Sequence, residues 1–346
     1  MNNTFLKACK GEPVPYTPIW IMRQAGRYLP QYHEVRDKVT FLELCKTPEL
    51  AAEVTIQPVD ILGVDAAILF SDILIPLEAM GMDLEFHEKR GPALSPVLRD
   101  QAGVDRLIVP DPEESMGFVM ETIRILRQEL KNKVPLIGFS GAPFTLATYM
   151  IEGGSSKNFF QTKKMMFAAP ELYRNLLQKI TASTISYLAA QAAAGAQALQ
   201  IFDSWVGVLA PCDFEVFALP YVRQIISSLR AQGIGVPIIY FANNGATLLE
   251  LSKTSGADVL GLDWRIEIGD AVDLLKNGCA VQGNLDPCAL LLPENLLSQR
   301  IEKILAGARK ARGHIFNLGH GILPETPPEK AKFLVETVHR LTRDGG

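Results

Sequence analysis

The chain has 346 residues, of which 48% are hydrophobic and 21% charged, and its formal net charge is −4. This composition is typical of a globular protein, and it excludes the global basic field that would attract nucleic acid. Because no apolar run reaches the ~18 residues of a membrane span and the N-terminus has no signal-peptide core, we expect a cytoplasmic protein without a membrane partner.

Short apolar, β-rich runs recur along the chain, and each is followed by a longer segment with helical periodicity. The runs predicted to be strands are PIWIM (18–22), AAILF (66–70), VPLIGF (134–139), ALQIF (198–202), VPIIYFA (236–242), DVLGLDW (258–264), CAVQGNL (279–285) and HIFNLG (314–319). Among the helical segments, 112–131 begins with Pro and two acids, and 170–194 ends before Gly195. Residues 76–98 are predicted to form an inserted hairpin.

Eight apolar strands that alternate with helices indicate parallel strands buried on both faces. We therefore predict an α/β protein whose residues 1–346 form a single (β/α)₈ TIM barrel. The active site of such a barrel lies at the C-terminal ends of its strands. An open doubly wound sheet is the alternative that this pattern leaves open.

Two arginines, Arg23 and Arg27, follow the first predicted strand and are separated by Gln24, Ala25 and Gly26. The planar guanidinium group pairs bidentately with carboxylates, so two of them at one strand end favour the binding of an anionic ligand. The structural alternative is that both arginines form ion pairs with carboxylates on the helices.

Other polar side chains follow later strands and should lie at the same end of the barrel. Asp72 follows the second run, Tyr149 the third, Ser204 the fourth, and His320, between two glycines, the eighth. Each also has a structural interpretation. Asp72 and Ser204 could cap helices, Tyr149 could be an ordinary half-buried tyrosine, and His320 could be a turn residue.

The sequence lacks the motifs that hold metals and nucleotide cofactors. It contains no H-E-x-x-H, no paired cysteines and no G-x-G-x-x-G after a strand. The five cysteines are odd in number and widely spaced, which is typical of reduced thiols. We therefore expect no metal and no organic cofactor. The two arginines described above indicate a small multi-carboxylate molecule as the substrate.

Several long motifs resemble those of the uroporphyrinogen decarboxylase family. They are PIWIMRQAGRYLPQY (18–32), FSDIL (70–74), GFSGAPFTLATYMIEGG (138–154), LQIFDSW (199–205) and NLGHGILPETP (317–327). The resemblance implies a single-domain barrel that is usually a homodimer. It also implies cofactor-independent removal of CO₂ from the four acetate side chains of uroporphyrinogen III, which gives coproporphyrinogen III in porphyrin biosynthesis.

The resemblance also implies roles for individual residues. The backbone from Arg23 to Arg27, through Gln24, Ala25 and Gly26, would line the pocket, and Arg36 would be a third cation. Asp72 would accept hydrogen bonds from the pyrrole N–H groups, and the side chains that would hydrogen-bond to carboxylate arms are Tyr149, Ser204 and His320. The residues expected to be catalytic are Asp72, Arg23, Arg27, Tyr149 and His320.

Two other functions remain open from the sequence. A zinc-dependent corrinoid or thiol methyltransferase of the same superfamily would need His and Cys ligands at late strand ends, where this chain has YFANNG (240–245). A non-catalytic tetrapyrrole-binding barrel would need the arginines but not Asp72, so the presence of Asp72 favours an enzyme.

Overall fold

The computed structural model describes residues 3–87 and 91–343, and its centre is a curled parallel sheet. The seven strands of this sheet within the described residues are β1 (Ala67–Ile68), β4 (Leu136–Gly141), β5 (Ala198–Asp203), β6 (Ile238–Ala242), β7 (Val259–Gly261), β8 (Ala280–Gln282) and β9 (His314–Ile315), which pair in that order. Strands β2 (Asp83–His87) and β3 (Gly91–Ser95) form an antiparallel hairpin. The predicted α/β class, seven of the predicted strands and the inserted hairpin are therefore confirmed.

The helices within the described residues are arranged so that four precede β1 and at least one follows each strand of the parallel sheet along the chain. They are α1 (Thr4–Lys10), α2 (Pro30–Arg36), α3 (Phe41–Lys46), α4 (Pro48–Leu62), α5 (Ile75–Ala79), α6 (Gln101–Arg106), α7 (Pro112–Ser115), α8 (Gly117–Glu129), α9 (Pro143–Glu152), α10 (Phe160–Ala168), α11 (Pro170–Ala194), α12 (Pro211–Phe217), α13 (Leu219–Ala231), α14 (Leu249–Ser252), α15 (Ile268–Leu275), α16 (Glu294–Gly307) and α17 (Pro328–Thr342). Short 3-10 turns lie at Val206–Val208, Ala246–Leu248, Lys253–Ser255, Pro287–Leu291 and Ala308–Lys310.

The two helices predicted from their ends differ in how well they match the structure. Helix α11 ends at Ala194 and Gly195 is its C-cap, with a positive φ of 120° that favours glycine. The segment 112–131 is instead two helices, because Met116 leaves the helical conformation between α7 and α8 with its side chain buried. No helix within the two described ranges is long and apolar enough to cross a membrane.

The first predicted strand, 18–22, is the element that differs from expectation. It forms a single parallel bridge between Ile19 and Phe316, supported by the bond of 2.8 Å from the Phe316 N–H to the Pro18 carbonyl. On its other side the Asp65 N–H donates to the Ile19 carbonyl over 2.7 Å. The run thus lies between the two edges of the seven-stranded sheet, but it does not form a strand of its own.

Side chains take the amides that a longer strand would use, which explains why the bridge does not extend. The acceptors of these N–H groups are Asp65 Oδ2 for Ile19, Gln24 Oε1 for Ile21 and Asn317 Oδ1 for Met22, at 2.9, 3.0 and 2.9 Å. A β ladder needs backbone carbonyls at these positions. The segment is therefore held at three points by side chains from three different parts of the chain.

Polar side chains also cross the interior of the curled sheet. The Trp20 indole N–H donates to Gln282 Oε1 over 2.8 Å, and Gln282 Nε2 donates to Gln200 Oε1 over 3.2 Å. All three residues are buried. Because Gln200 lies on β5 and Gln282 on β8, these bonds connect the first run to two separate strands across the inner face.

Candidate active site

Arg23 lies in a turn that is fastened to both edges of the sheet. Its φ of 64° is a left-handed conformation that residues other than glycine rarely adopt. On one side the Ile322 N–H donates to the Met22 carbonyl over 2.9 Å, and on the other Gln24 Nε2 donates to the Ala66 carbonyl over 3.0 Å. Such a conformation costs about 1–3 kcal/mol and is concentrated at functional sites.

The side chains of Arg23 and Arg27 are exposed. Gly321 makes room for the first of them, because a Cβ at that position would lie 2.9 Å from Arg23 Cγ and closer still to Cδ. Within residues 3–87 and 91–343, neither guanidinium forms an ion pair or a side-chain hydrogen bond. The structural alternative, in which helix carboxylates neutralise the two arginines, therefore has no support.

Asp72 follows β1 and is half-buried. Its Oδ1 accepts a hydrogen bond of 2.9 Å from the Leu74 N–H, so the capping interpretation is correct for one oxygen. Burial raises the pKa of the Asp72 carboxyl, while the Leu74 N–H and the positive charge of Arg23 act in the opposite direction. In the described part of the chain Oδ2 makes no hydrogen bond, which leaves it available to a ligand.

Tyr149 lies on α9 and shares this electrostatic environment. Burial raises the pKa of its phenol most, the Asp72 charge raises it further, and Trp205 and Arg23 lower it. Its ring packs 5.9 Å from the Trp205 ring, which in turn packs 5.3 Å from Phe159. Tyr149 is thus a protonated donor at neutral pH, close enough to Asp72 and Arg23 to feel both charges.

Ser204 is half-buried at the end of β5, where the Asn243 side-chain amide donates to its carbonyl over 3.0 Å. The preceding residue, Asp203, is fully buried and accepts hydrogen bonds from Thr145 Oγ1 at 2.6 Å and Tyr240 Oη at 2.9 Å. Burial raises the pKa of Asp203 to about 6, although both hydroxyls lower it. Asp203 therefore anchors the strand end that carries Ser204.

His320 follows β9 and is half-buried. Burial lowers its pKa to about 4, and the positive charges of Arg23 and Arg265 lower it further. The imidazole is therefore neutral at pH 7, with one N–H donor and one acceptor nitrogen. His320 lies close enough to Arg23 for that charge to act on its imidazole, and its role as a site residue stays a prediction.

The remaining predicted residues differ in what they can offer a ligand. Gln24 is fully buried, and both ends of its amide are used within the fold, so its side chain cannot bind substrate. Ala25 and Gly26 are half-buried in the arginine turn. The Arg36 guanidinium donates to the Val39 carbonyl, so part of this third cation is already committed.

Sequence reasoning missed two groups at this end of the sheet. Arg265 comes one residue after the run 258–264, and its charge reaches His320. Asp203 stands at a strand end in the same way as Asp72, but nothing in the sequence indicates that two hydroxyls hold it. As for metals, the described ranges contain no group of three or more His, Cys, Asp or Glu side chains that could hold an ion.

These features define a class of protein: an α/β enzyme with a curled parallel sheet and ionisable side chains at the carboxyl ends of its strands. A model of the uroporphyrinogen decarboxylase (URO-D) family matches residues 1–341. The chain is 66% identical to the uroporphyrinogen decarboxylase of Desulfotalea psychrophila over 342 residues, which is 99% of each chain. It is 56% identical to that of Geobacter metallireducens over 343 residues, 99% of this chain and all of the relative. The chain belongs to the uroporphyrinogen decarboxylase family.

Solved structures with the same fold lie further away in sequence. A methyltransferase from Methanosarcina mazei superposes with a TM-score of 0.83 over 98% of both chains at 23% identity. A B12-independent methionine synthase from Shewanella sp. W3-18-1 superposes with a TM-score of 0.60 over 94% of both chains at 12% identity. At these identities the likeness concerns the fold alone.

Proposed function

We propose that this chain removes CO₂ from the four acetate side chains of uroporphyrinogen III and gives coproporphyrinogen III in porphyrin biosynthesis. Membership of the family supports the reaction. The observation that carries the proposal is the half-buried Asp72 carboxylate, which lies within electrostatic range of Arg23 and Tyr149 and has one oxygen free of the fold.

The site offers separate groups for the two parts of this substrate. Arg23 and Arg27 bring positive charge to an acidic protein, and their unpaired guanidinium groups suit the carboxylate arms. Tyr149, Ser204 and His320 bind arms as neutral donors, which is consistent with the raised pKa of Tyr149 and the lowered pKa of His320. Arg36 is a further cation, and the Arg23–Arg27 backbone lines the pocket.

Asp72 binds the pyrrole N–H groups and stabilises the charge that develops during the reaction. Loss of CO₂ from a pyrrole acetate leaves an electron pair that the ring accepts once a ring carbon is protonated. A carboxylate in a water-poor site stabilises the resulting pyrrole cation, and such preorganised electrostatics are often the largest catalytic effect. An arginine, with a pKa of ~12 or more, is a poor acid, so a substrate carboxyl and a water are candidate proton donors beside the arginines.

The ring acts as its own electron sink, so this reaction requires no metal or organic cofactor. The zinc-dependent methyltransferase alternative is less favoured, because the curated relatives at 55–66% identity are decarboxylases. A non-catalytic tetrapyrrole binder is less favoured for the same reason. A single assay distinguishes the proposal from both alternatives, because neither a methyltransferase nor a non-catalytic binder would release CO₂ from uroporphyrinogen.

We also propose the closed form of the fold and its assembly. The hydrogen bonds of the run 18–22 to both sheet edges, through Ile19 on one side and Pro18 on the other, support an eight-stranded (β/α)₈ barrel in which 18–22 is the first strand, and residues 1–346 are one domain. Residues 1–2, 88–90 and 344–346 lie outside the described part. The free cysteines support a cytoplasmic protein. A homodimer follows from the family resemblance, and light scattering that gives about 38 kDa, the mass of one chain, would refute it.

The decisive test is turnover by metal-free protein. Purified enzyme is incubated with uroporphyrinogen III without oxygen, and the products are separated by mass spectrometry. We expect four successive losses of CO₂ that end at coproporphyrinogen III. The heat-denatured protein is the control, and an unchanged substrate in the presence of folded protein would contradict the proposed function.

A further inference from the structure

Arg265 follows β7 at the same end of the sheet as the candidate site, and the fold holds its backbone while leaving its guanidinium group nearly unpaired. The carboxylate of Asp263 accepts the Arg265 N–H at 2.7 Å with Oδ1 and the Gly245 N–H at 3.1 Å with Oδ2. The guanidinium comes no closer than 3.7 Å to that carboxylate. In the described residues it makes no hydrogen bond, so its N–H donors are available to a ligand.

The orientation of this side chain is nevertheless defined. The Arg265 Cζ lies 4.0 Å from the centre of the half-buried Trp264 ring. A guanidinium that lies over an aromatic ring is attracted to the ring face, and this attraction restricts the motion of the side chain. An arginine that is held over a ring in this way loses less conformational freedom when it binds a carboxylate than a freely mobile one does.

The polypeptide places Arg265 next to His320. A Cβ at Gly319 would lie 2.5 Å from the Trp264 backbone nitrogen, so the two backbones are in direct contact. On the other side of His320, Gly321 packs against the Arg23 side chain. The chain on either side of His320 in sequence therefore contacts two arginine-bearing segments, and the charges of Arg23 and Arg265 both help to lower the pKa of its imidazole.

We infer that Arg265 is a further substrate-binding residue, which binds a carboxylate arm of the tetrapyrrole near His320. The inference rests on the proposed function, because the ligand it requires is a macrocycle with many carboxylates. Together with Arg23 and Arg27, Arg265 would distribute positive charge on more than one side of the bound ring. The more carboxylates a tetrapyrrole carries, the more its binding should depend on this residue.

The test compares Arg265→Gln with Arg124→Gln. Both variants remove one positive charge from a side chain of equal exposure, 45% and 44%, but Arg124 lies on α8 and pairs with Glu113 and Glu121. For Arg265→Gln we expect a KM for uroporphyrinogen about tenfold higher and a kcat within about twofold of the wild type, because a contact made equally in ground and transition states affects KM alone. Arg265→Lys should recover part of the loss, since the charge remains.

A second readout separates binding from a structural role. Uroporphyrin, the oxidised octacarboxylate, and coproporphyrin, with four carboxylates, are titrated by fluorescence quenching at several salt concentrations. Arg265→Gln should weaken uroporphyrin binding more than coproporphyrin binding and flatten its salt dependence, with an unchanged melting temperature. If the KM for uroporphyrinogen and the two porphyrin affinities of Arg265→Gln equal those of Arg124→Gln, the inference is overturned. If the wild type does not turn over uroporphyrinogen, the proposed function is contradicted, and the porphyrin titration still tests the role of Arg265 in binding.

Discussion

Replacement of Asp72 by asparagine tests the electrostatic mechanism most directly. Asparagine has the same shape and keeps an oxygen that can accept the Leu74 N–H, which Asp72 binds at 2.9 Å. The short helix α5 should therefore still begin at the same place, and the free energy of unfolding should change by no more than ~1 kcal/mol, the usual value of one hydrogen bond. What the variant loses is the negative charge.

The size of the catalytic effect follows from where that charge lies. Two opposite charges 4 Å apart attract by ~1 kcal/mol in water and by ~4 kcal/mol at the effective dielectric constant of ~20 found near protein surfaces. Because ~1.4 kcal/mol corresponds to a tenfold change in rate, these limits span about fivefold to ~10³-fold. Asp72 is half-buried and burial raises its pKa, so the upper part of this range applies. We expect kcat to fall ~10²-fold or more.

The assay is single-turnover decarboxylation beside a titration with the product, for the wild type, Asp72→Asn and Asp72→Glu. Product binding should weaken only modestly in Asp72→Asn, since the arginines bind the carboxylate arms, whereas the longer glutamate side chain of Asp72→Glu should crowd the macrocycle. Asp111→Asn is the matched control, because Asp111 caps α7 through the same type of bond at 2.9 Å on the exposed surface. Near wild-type turnover by Asp72→Asn would refute the electrostatic role of Asp72.

Three further predictions concern the arginines, the buried carboxylate and the absence of a cofactor. Arg23→Gly should leave the melting temperature unchanged or higher, because glycine tolerates a φ of 64°, yet lower kcat/KM by ~10²-fold. Arg27→Lys should also lower kcat/KM, because lysine lacks the bidentate fork of arginine. Unfolding of either variant would favour a structural role. Burial raises the pKa of Asp203 from 3.8 to about 6, so the stability that its protonated form contributes is complete below pH ~4 and is lost as the pH rises through 6. In denaturant titrations the free energy of unfolding of the wild type, relative to that of Asp203→Asn, should fall by at most ~3 kcal/mol over this window. A difference that stays constant with pH would contradict this prediction. Enzyme treated with a chelator and dialysed should keep its rate, and activity that returns only with zinc would favour the methyltransferase alternative.

The strands were predictable from sequence because a strand buried on both faces is a continuous apolar run. Strand β6, for example, is formed by the last five residues of VPIIYFA, and all five are buried. The run PIWIM has the same pattern, but three of its amides are bound by the side chains of Asp65, Gln24 and Asn317. Two of these acceptors are distant in sequence, so no local pattern distinguishes PIWIM from a regular strand.

The side chains of the candidate site could be predicted from the sequence where they come directly after a strand. Asp72 shows a limit of this reasoning, because its two interpretations, cap and site residue, apply to different oxygens of one carboxylate. Arg265 was missed because a lone arginine after a strand is not distinctive in sequence. Its proposed role rests on the position of its guanidinium over Trp264 and on the approach of the chain at Gly319, which only the folded structure provides.

The bridge between Ile19 and Phe316 has a consequence for how the protein is made. Phe316 is added to the growing chain about 300 residues after Ile19. At a synthesis rate of ~5–20 residues per second, the first run waits ~15–60 s for this partner. Ile322, which binds the Met22 carbonyl, emerges later still. The turn that carries Arg23 is therefore encoded early but completed late, because its bonds to Asp65 and Ala66 can form before its bond to Ile322.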